Sequence, residues 1–253
     1  MVVQSTNNGN DLWWGKYSYV GEYEGGVARV EVAGEYRGDE RWGLIDLNGN
    51  EVVPVIYTFL GRLKEGLMLA SLDGKSGPYG YIDTKGKEVI TFKYDNAENF
   101  EDGLAYVSLE GKYGFIDKTG NVIIPLKYDV FIKNDGSLLE YIPRFSGGLL
   151  GMKLNGKFGY VDRQGNEVVP FQYDIISNFS DDGFAKVCFN GKYGVIDKTG
   201  REVIPFKYDR VDWWGENIYR VRQNRQYGFV DRQGNEVFPC NSIYDFKQAL
   251  ESR

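Results

Sequence analysis

The chain contains no histidine. That removes the commonest general base and the commonest metal ligand. Cysteine is nearly absent too, and Cys188 and Cys240 are too few to make a disulfide framework. Cys188 lies in a stretch of alternating apolar residues and reads as a buried structural thiol rather than a reactive one. No apolar run approaches the length of a membrane-spanning helix, so membrane insertion is not expected. The opening "MVVQSTNNGNDLWW" lacks the basic and apolar regions of a signal peptide. A cytoplasmic protein and an exported one with its leader trimmed off would both begin this way, so the compartment stays open. Basic residues are not in excess: Lys plus Arg is 30 against 36 Asp plus Glu, a net charge of −6. With no basic stripe, nucleic acid is not an expected partner.

What is plentiful is aromatic residues, at 15% with 19 tyrosines, and glycine, at 33 of 253 residues. Many rings, many glycines and few helix-forming runs point to an all-β chain rich in turns.

The rings and glycines recur in register. An aromatic, Gly, any residue, Ile or Val, Asp, two residues and Gly occur together six times. The copies begin at Trp42-Gly43, Tyr79-Gly80, Tyr113-Gly114, Phe158-Gly159, Tyr193-Gly194 and Tyr227-Gly228. Eleven residues after each glycine stand Pro54, Thr91, Pro125, Pro170, Pro205 and Pro239. Fourteen after it stand Tyr57, Tyr94, Tyr128, Tyr173, Tyr208 and, as the departure, Ser242. A fixed period of this length means a repeat architecture.

Each unit divides into four short strands, for example "YDNAENF", "GLAYVSL", "KYGFID" and "NVIIP", joined by turns such as "DKTG". Asp opens that turn by bonding the backbone ahead, and Gly accepts positive φ. The expected unit is therefore a four-stranded antiparallel meander of about 34 residues. The units run approximately 17–56, 57–93, 94–127, 128–172, 173–207 and 208–240, with 241–253 as a carboxy-terminal extension of one domain. Proline on the fourth strand makes that strand an edge. A β-propeller-like ring of six such blades is the favoured expectation, and an open β-repeat solenoid is the alternative. The overhangs at the two ends, "DLWW" before the first unit and "SIYDF" after the last, suit closure or capping equally. The anchor pair itself reads as an inter-unit contact, each ring laid over a neighbouring unit's bare glycine. On that reading Tyr113→Ala or Tyr193→Ala costs ~3–5 kcal/mol.

These residues resemble the bacterial WG-repeat (KWG-repeat) family, over roughly residues 17–240. The departure is that only Trp42 keeps the tryptophan of the anchor. The resemblance implies a repeat-built interaction domain with no assigned catalytic residues.

Binding residues are sought where the repeat breaks. Unit four carries about ten extra residues, "DVFIKNDGSLLEYIPRFSG", whose Phe131, Leu138, Tyr141 and Phe145 are expected to pack on the scaffold or on a partner. "WWG" occurs at Trp13-Trp14-Gly15 and Trp213-Trp214-Gly215. Trp214 falls at the register of Phe100 and is placed in the core, which leaves Trp213 facing out as a binding residue; Trp13 and Trp14 read as an end cap. The turn aspartates (Asp46, Asp83, Asp117, Asp162, Asp197, Asp231) repeat in every unit, so their role reads as structural rather than acid–base. The same holds for Asp95, Asp129, Asp174 and Asp209, which a closed ring would gather at one mouth. Asp135 and Glu140 are the weak carboxylate candidates for a glycosidase. The expectation is a non-enzymatic module without cofactor or metal that binds a protein or peptide; a carbohydrate-binding, lectin-like module using Trp and Tyr is the alternative.

Overall fold

A computed structural model describes residues 13–36, 38–74, 77–129, 143–215 and 217–240, with side chains from residue 15 onward. Phe131, Leu138, Tyr141, Asp135 and Glu140 lie outside the described residues, as does the "SIYDF" segment. Six antiparallel sheets follow one another along the chain, one per repeat. Sheet 1 comprises Tyr19–Glu24, Val27–Val32, Arg41–Asp46 and Glu51–Tyr57. Sheet 2 comprises Phe59–Leu60, Met68–Ser71, Tyr79–Ile82 and Glu88–Tyr94. Sheet 3 comprises Asn96–Ala97, Leu104–Leu109, Lys112–Asp117 and Val122–Tyr128. Sheet 4 has three strands among the described residues, Leu150–Leu154, Lys157–Val161 and Glu167–Tyr173. Sheet 5 comprises Ile175–Ile176, Phe184–Phe189, Lys192–Asp197 and Glu202–Tyr208. Sheet 6 comprises Arg210–Gly215, Ile218–Gln223, Gln226–Asp231 and Glu236–Phe238. In each, strands pair in chain order, the up-and-down meander expected of the repeat. Trp13–Lys16 forms a short 3₁₀ turn rather than a strand. No helix among the described residues is long and apolar enough to cross a membrane.

The chain divides into two compact units, residues 1–126 and 127–253. Within each, consecutive sheets share a core. Leu44, Val53 and Tyr57 of sheet 1 meet Leu60, Met68 and Ala70 of sheet 2. Leu69, Tyr81 and Tyr94 of sheet 2 meet Ala97, Phe100 and Ala105 of sheet 3. In the second unit Tyr160, Val169 and Tyr173 of sheet 4 meet Phe179, Ala185 and Val187 of sheet 5. Val195, Ile204 and Tyr208 of sheet 5 meet Val211, Tyr219 and Val221 of sheet 6. A lone meander of this size cannot cover its own apolar faces, so stacking supplies what a single repeat lacks.

The turn chemistry follows the expectation residue by residue. In the turn at Asp117, one carboxylate oxygen accepts the backbone N–H groups of Thr119 (2.8 Å) and Asn121 (2.9 Å). The same pair of bonds recurs at Asp46, Asp83, Asp162, Asp197 and Asp231. The second set of aspartates caps another hairpin: Asp95, Asp129, Asp174 and Asp209 accept N–H groups of Gly111, Gly156, Gly191 and Asn224.

The anchor pair works differently from the inter-unit reading. A Cβ added at Gly43 would lie 2.6 Å from the Val53 carbonyl oxygen and 2.9 Å from Pro54, both in the glycine's own sheet. At the first five anchor glycines the obstructing atoms belong to the fourth strand of the same sheet, and at Gly228 to Phe238 of that strand and to Cys240 just past its end. The register explains why. Trp42 pairs with Tyr57 and Leu44 with Val53, so Pro54, Val55 and Ile56 oppose the single residue Gly43. The fourth strand bulges over the bare glycine, and proline sits in the bulge, where an N–H is least needed.

The anchor rings are correspondingly less buried than expected: Trp42, Tyr79, Tyr113, Phe158 and Tyr193 are half-buried and Tyr227 is 50% exposed. Trp42, Tyr79, Phe158 and Tyr193 border the inter-sheet cores. The fully enclosed rings are instead Tyr94, Tyr128, Tyr173 and Tyr208, the tyrosines fourteen residues after the glycine, together with Tyr81 and Tyr160. The cost of ~3–5 kcal/mol for ring truncation therefore moves to those positions. Cys188 is buried, and that burial pushes its thiol above the ordinary value.

Candidate binding site

In sheets 1, 2, 4 and 5 the unspecified residue of the repeat motif, the one directly after the anchor glycine, lies in the core shared with the next sheet. In sheets 2 and 4 it is tyrosine. Tyr81 packs on Phe100 with ring centroids 4.8 Å apart and donates its hydroxyl to the Glu98 carbonyl at 2.6 Å. Tyr160 packs on Phe179 at 4.7 Å and donates to the Ser177 carbonyl at 2.5 Å. Two rings and one hydrogen bond fill each of these interfaces.

In sheets 1 and 5 the same position holds Leu44 and Val195, and both of those interfaces keep a cleft. The partner position differs as well. Where sheets 3 and 5 tuck in Phe100 and Phe179, sheet 2 has Leu63 and sheet 6 has Trp214. Trp214 is not a core residue; it is 47% exposed. Its strand, Arg210–Gly215, runs for six residues where the first strands of sheets 2, 3 and 5 run for two. The pairing with Ile218–Gln223 slips between Trp213 and Gly215, so Trp214 sits in a bulge. It packs edge-on against Phe229 at 5.7 Å and receives the Arg220 guanidinium at 4.8 Å.

Trp213 faces the cleft between sheets 5 and 6 and is 51% exposed, as the sequence suggested. This cleft encloses about 510 Å³. One wall carries Phe184 and Lys186 with the loop residues Ser177, Asn178, Ser180, Asp181 and Asp182; the other carries Val211, Trp213 and Tyr219. Trp213 meets Tyr219 edge-on at 5.1 Å. The Arg232 guanidinium lies over both Trp213 (5.0 Å) and Phe184 (5.6 Å) and pairs with Asp182. Lys186 reaches Asp212 at 3.9 Å and lies over the Tyr193 ring at 6.0 Å. Asp181 and Asn178 are exposed on the rim. Burial pushes the Tyr219 phenol above its ordinary value, so it stands in the cleft as a neutral donor.

The second cleft, between sheets 1 and 2, encloses about 340 Å³. It is the same repeat position with different chemistry: Arg62 stands at the register of Trp213, Arg29 at that of Lys186 and Met68 at that of Tyr219. Glu22 and Glu24 line it as well. The Arg29 guanidinium donates to the Leu60 carbonyl at 2.7 Å and lies over Trp42 at 5.3 Å.

Of the sequence-derived binding residues, Trp213 is thus in a cleft. Phe145 is half-buried beneath the Arg163 guanidinium, 4.8 Å from its ring, which makes it part of the scaffold. The cleft residues Asn178, Asp181, Phe184, Lys186 and Tyr219 were not singled out from the sequence. The signal that could have found them is the residue after the anchor glycine, aromatic at Tyr81, Phe115, Tyr160 and Phe229 but aliphatic at Leu44 and Val195. Among the described residues no group of three or more His, Cys, Asp or Glu is placed to hold a metal ion.

Comparison with known proteins adds the following. Kluyveromyces lactis Hsv2 is similar at 10% identity, over 82% of this chain and 71% of that one, with a TM-score of 0.34. A eukaryotic initiation factor is similar at 11% identity, over 81% of this chain and 60% of that one, with a TM-score of 0.40. Likenesses this distant carry no argument about function. No curated protein matches the sequence. The WG containing repeat, by contrast, matches residues 42–75, 79–113, 113–133, 158–193, 193–226 and 227–248. Six matched segments spanning most of its length place this chain in the WG repeat family.

Proposed function

We propose that this is a non-catalytic binding module that takes an extended peptide segment of a partner protein in the cleft between sheets 5 and 6. The observation that carries the reading is Trp213, half exposed in a cleft whose wall is an edge strand. Among the described residues Arg210–Gly215 pairs on one side only, with Ile218–Gln223. Its outer backbone groups are therefore available to an added strand, which supplies affinity through main-chain bonds, while the tryptophan supplies a ring anchor. A carbohydrate is the second reading. It is favoured by the hydroxyl, amide and carboxylate groups of Ser180, Asn178 and Asp181 around an exposed ring.

The test is a selection of displayed random peptides on the full chain, with Trp213→Ala as counter-screen. Peptides retained by the native chain and lost by the variant are the expected result. A glycan array that binds a defined sugar in a Trp213-dependent way, with no peptide selected, replaces this reading with the carbohydrate one.

A further inference from the structure

Resting on that peptide reading, we infer that the cleft between sheets 5 and 6 selects a basic side chain, Arg or Lys, which packs on the exposed part of Trp213 and pairs with Asp181. The molecule already contains the arrangement once. Arg232 lies over the Trp213 and Phe184 rings and pairs with Asp182, so these rings and this loop together hold a guanidinium. Sheet 6 repeats the device on other side chains, with Arg220 over Trp214 (4.8 Å) and Tyr227 (5.3 Å) and facing Asp212. Aromatic faces attract cations through the ring quadrupole, and a nearby carboxylate adds to the attraction.

The charges of the cleft say which sign is wanted. Asp182 is taken by Arg232, and Lys186 lies over the Tyr193 ring and 3.9 Å from Asp212, a carboxylate that Arg210 (2.6 Å) and Arg220 (3.4 Å) approach more closely. Asp181 is exposed on the same loop and lines the same cleft as Trp213. Among the described residues it is the lining carboxylate with no ion pair of its own, and it offers a basic side chain a partner beside the exposed ring. The whole chain, at a net charge of −6, favours the approach of a basic segment over an acidic one.

The experiment is the random-peptide selection on the full chain, repeated with Asp181→Asn and Asp181→Lys. Because Asp181 is exposed, neither change disturbs the core. The expected result is enrichment of Arg or Lys at one position for the native chain. Asp181→Asn should then weaken the selected peptides on the order of fivefold, the scale of an exposed ion pair. Asp181→Lys should enrich Asp or Glu at the same position. Trp213-dependent peptides with no basic position, or with a preference that Asp181→Lys leaves unchanged, overturn this inference while the peptide reading stands. Failure to select any Trp213-dependent peptide overturns both.

Discussion

At the interface of sheets 2 and 3, Tyr81 and Phe100 close the space between two repeats; at the interface of sheets 5 and 6, the corresponding Val195 and Trp214 leave it open. The backbone register is the same in both. Tyr81 opposes Leu69 and Val195 opposes Lys186, each one residue beyond the anchor glycine. The difference lies in two side chains. A tyrosine reaches across the gap and a valine does not. A phenylalanine three residues past a two-residue first strand is carried inward, whereas a tryptophan in the bulge of a six-residue strand is carried outward. A repeat architecture can thus assign scaffolding to some interfaces and a cleft to others without altering its turns.

Truncation separates the two most sharply. Phe100→Ala removes a ring that is 3% exposed and should cost ~3–5 kcal/mol in equilibrium unfolding. Trp214→Ala, at the same register but half in solvent, should cost under ~1 kcal/mol. Equal costs would mean that the two positions are alike after all.

Next comes the glycine bulge common to all sheets. Gly80→Ala drives a methyl to within 2.6 Å of the Ile90 carbonyl oxygen and should lose ~1–3 kcal/mol. A neutral outcome would show that the fourth strand can shift away, and that the bulge is not what demands glycine.

Smaller effects probe the hydroxyls. Tyr81→Phe gives up the 2.6 Å bond to the Glu98 carbonyl and should cost ~0.5–1.5 kcal/mol. Tyr94→Phe, in the same core, removes a buried hydroxyl that has no hydrogen-bond partner among the described residues and should leave stability equal or slightly raised. A cost at Tyr94 as large as at Tyr81 would remove hydrogen bonding as the reason the filled interface prefers tyrosine.

Acid titration gives the smallest signal. The Thr119 hydroxyl, with the N–H groups and side chain of the turn, holds the Asp117 carboxyl down to about 2. A depressed folded value stabilises the fold above the ordinary carboxylate range near ~4, and that contribution is lost as pH falls through about 2. Asp46, Asp162 and Asp231 are shifted the same way, led by the side chains of Asn50, Asn166 and Asn235. These groups are solvated, so Asp117→Asn should flatten only a small part of the unfolding profile below pH ~4. An unchanged profile would mean that the turn bonds survive protonation.

Much of this was legible in the residues. The six units, their strands, the Asp-to-Gly turns and the edge position of the proline strand all follow from local chemistry repeated at a fixed spacing, whereas Trp213 is exposed although the premise that put it there, a buried Trp214, does not hold. What misled was the anchor. An aromatic beside a glycine suggested a ring on a neighbour's backbone, but spacing along the chain cannot say which backbone approaches the glycine. The offset of three residues in the fourth strand against one in the third settles that, and it is a property of paired strands. Trp214 was misplaced for a related reason: its register matches Phe100, yet the length of its strand, set by pairing, turned it outward.

The sequence by itself determined the period, the meander and the turns, because those depend on φ preference, side-chain-to-backbone bonds and alternation within a few residues of one another. Only the tertiary structure decided which inter-sheet spaces are filled and which stay open. That depends on whether two side chains from different repeats meet across a gap of a few ångströms, a distance that no spacing along the chain encodes.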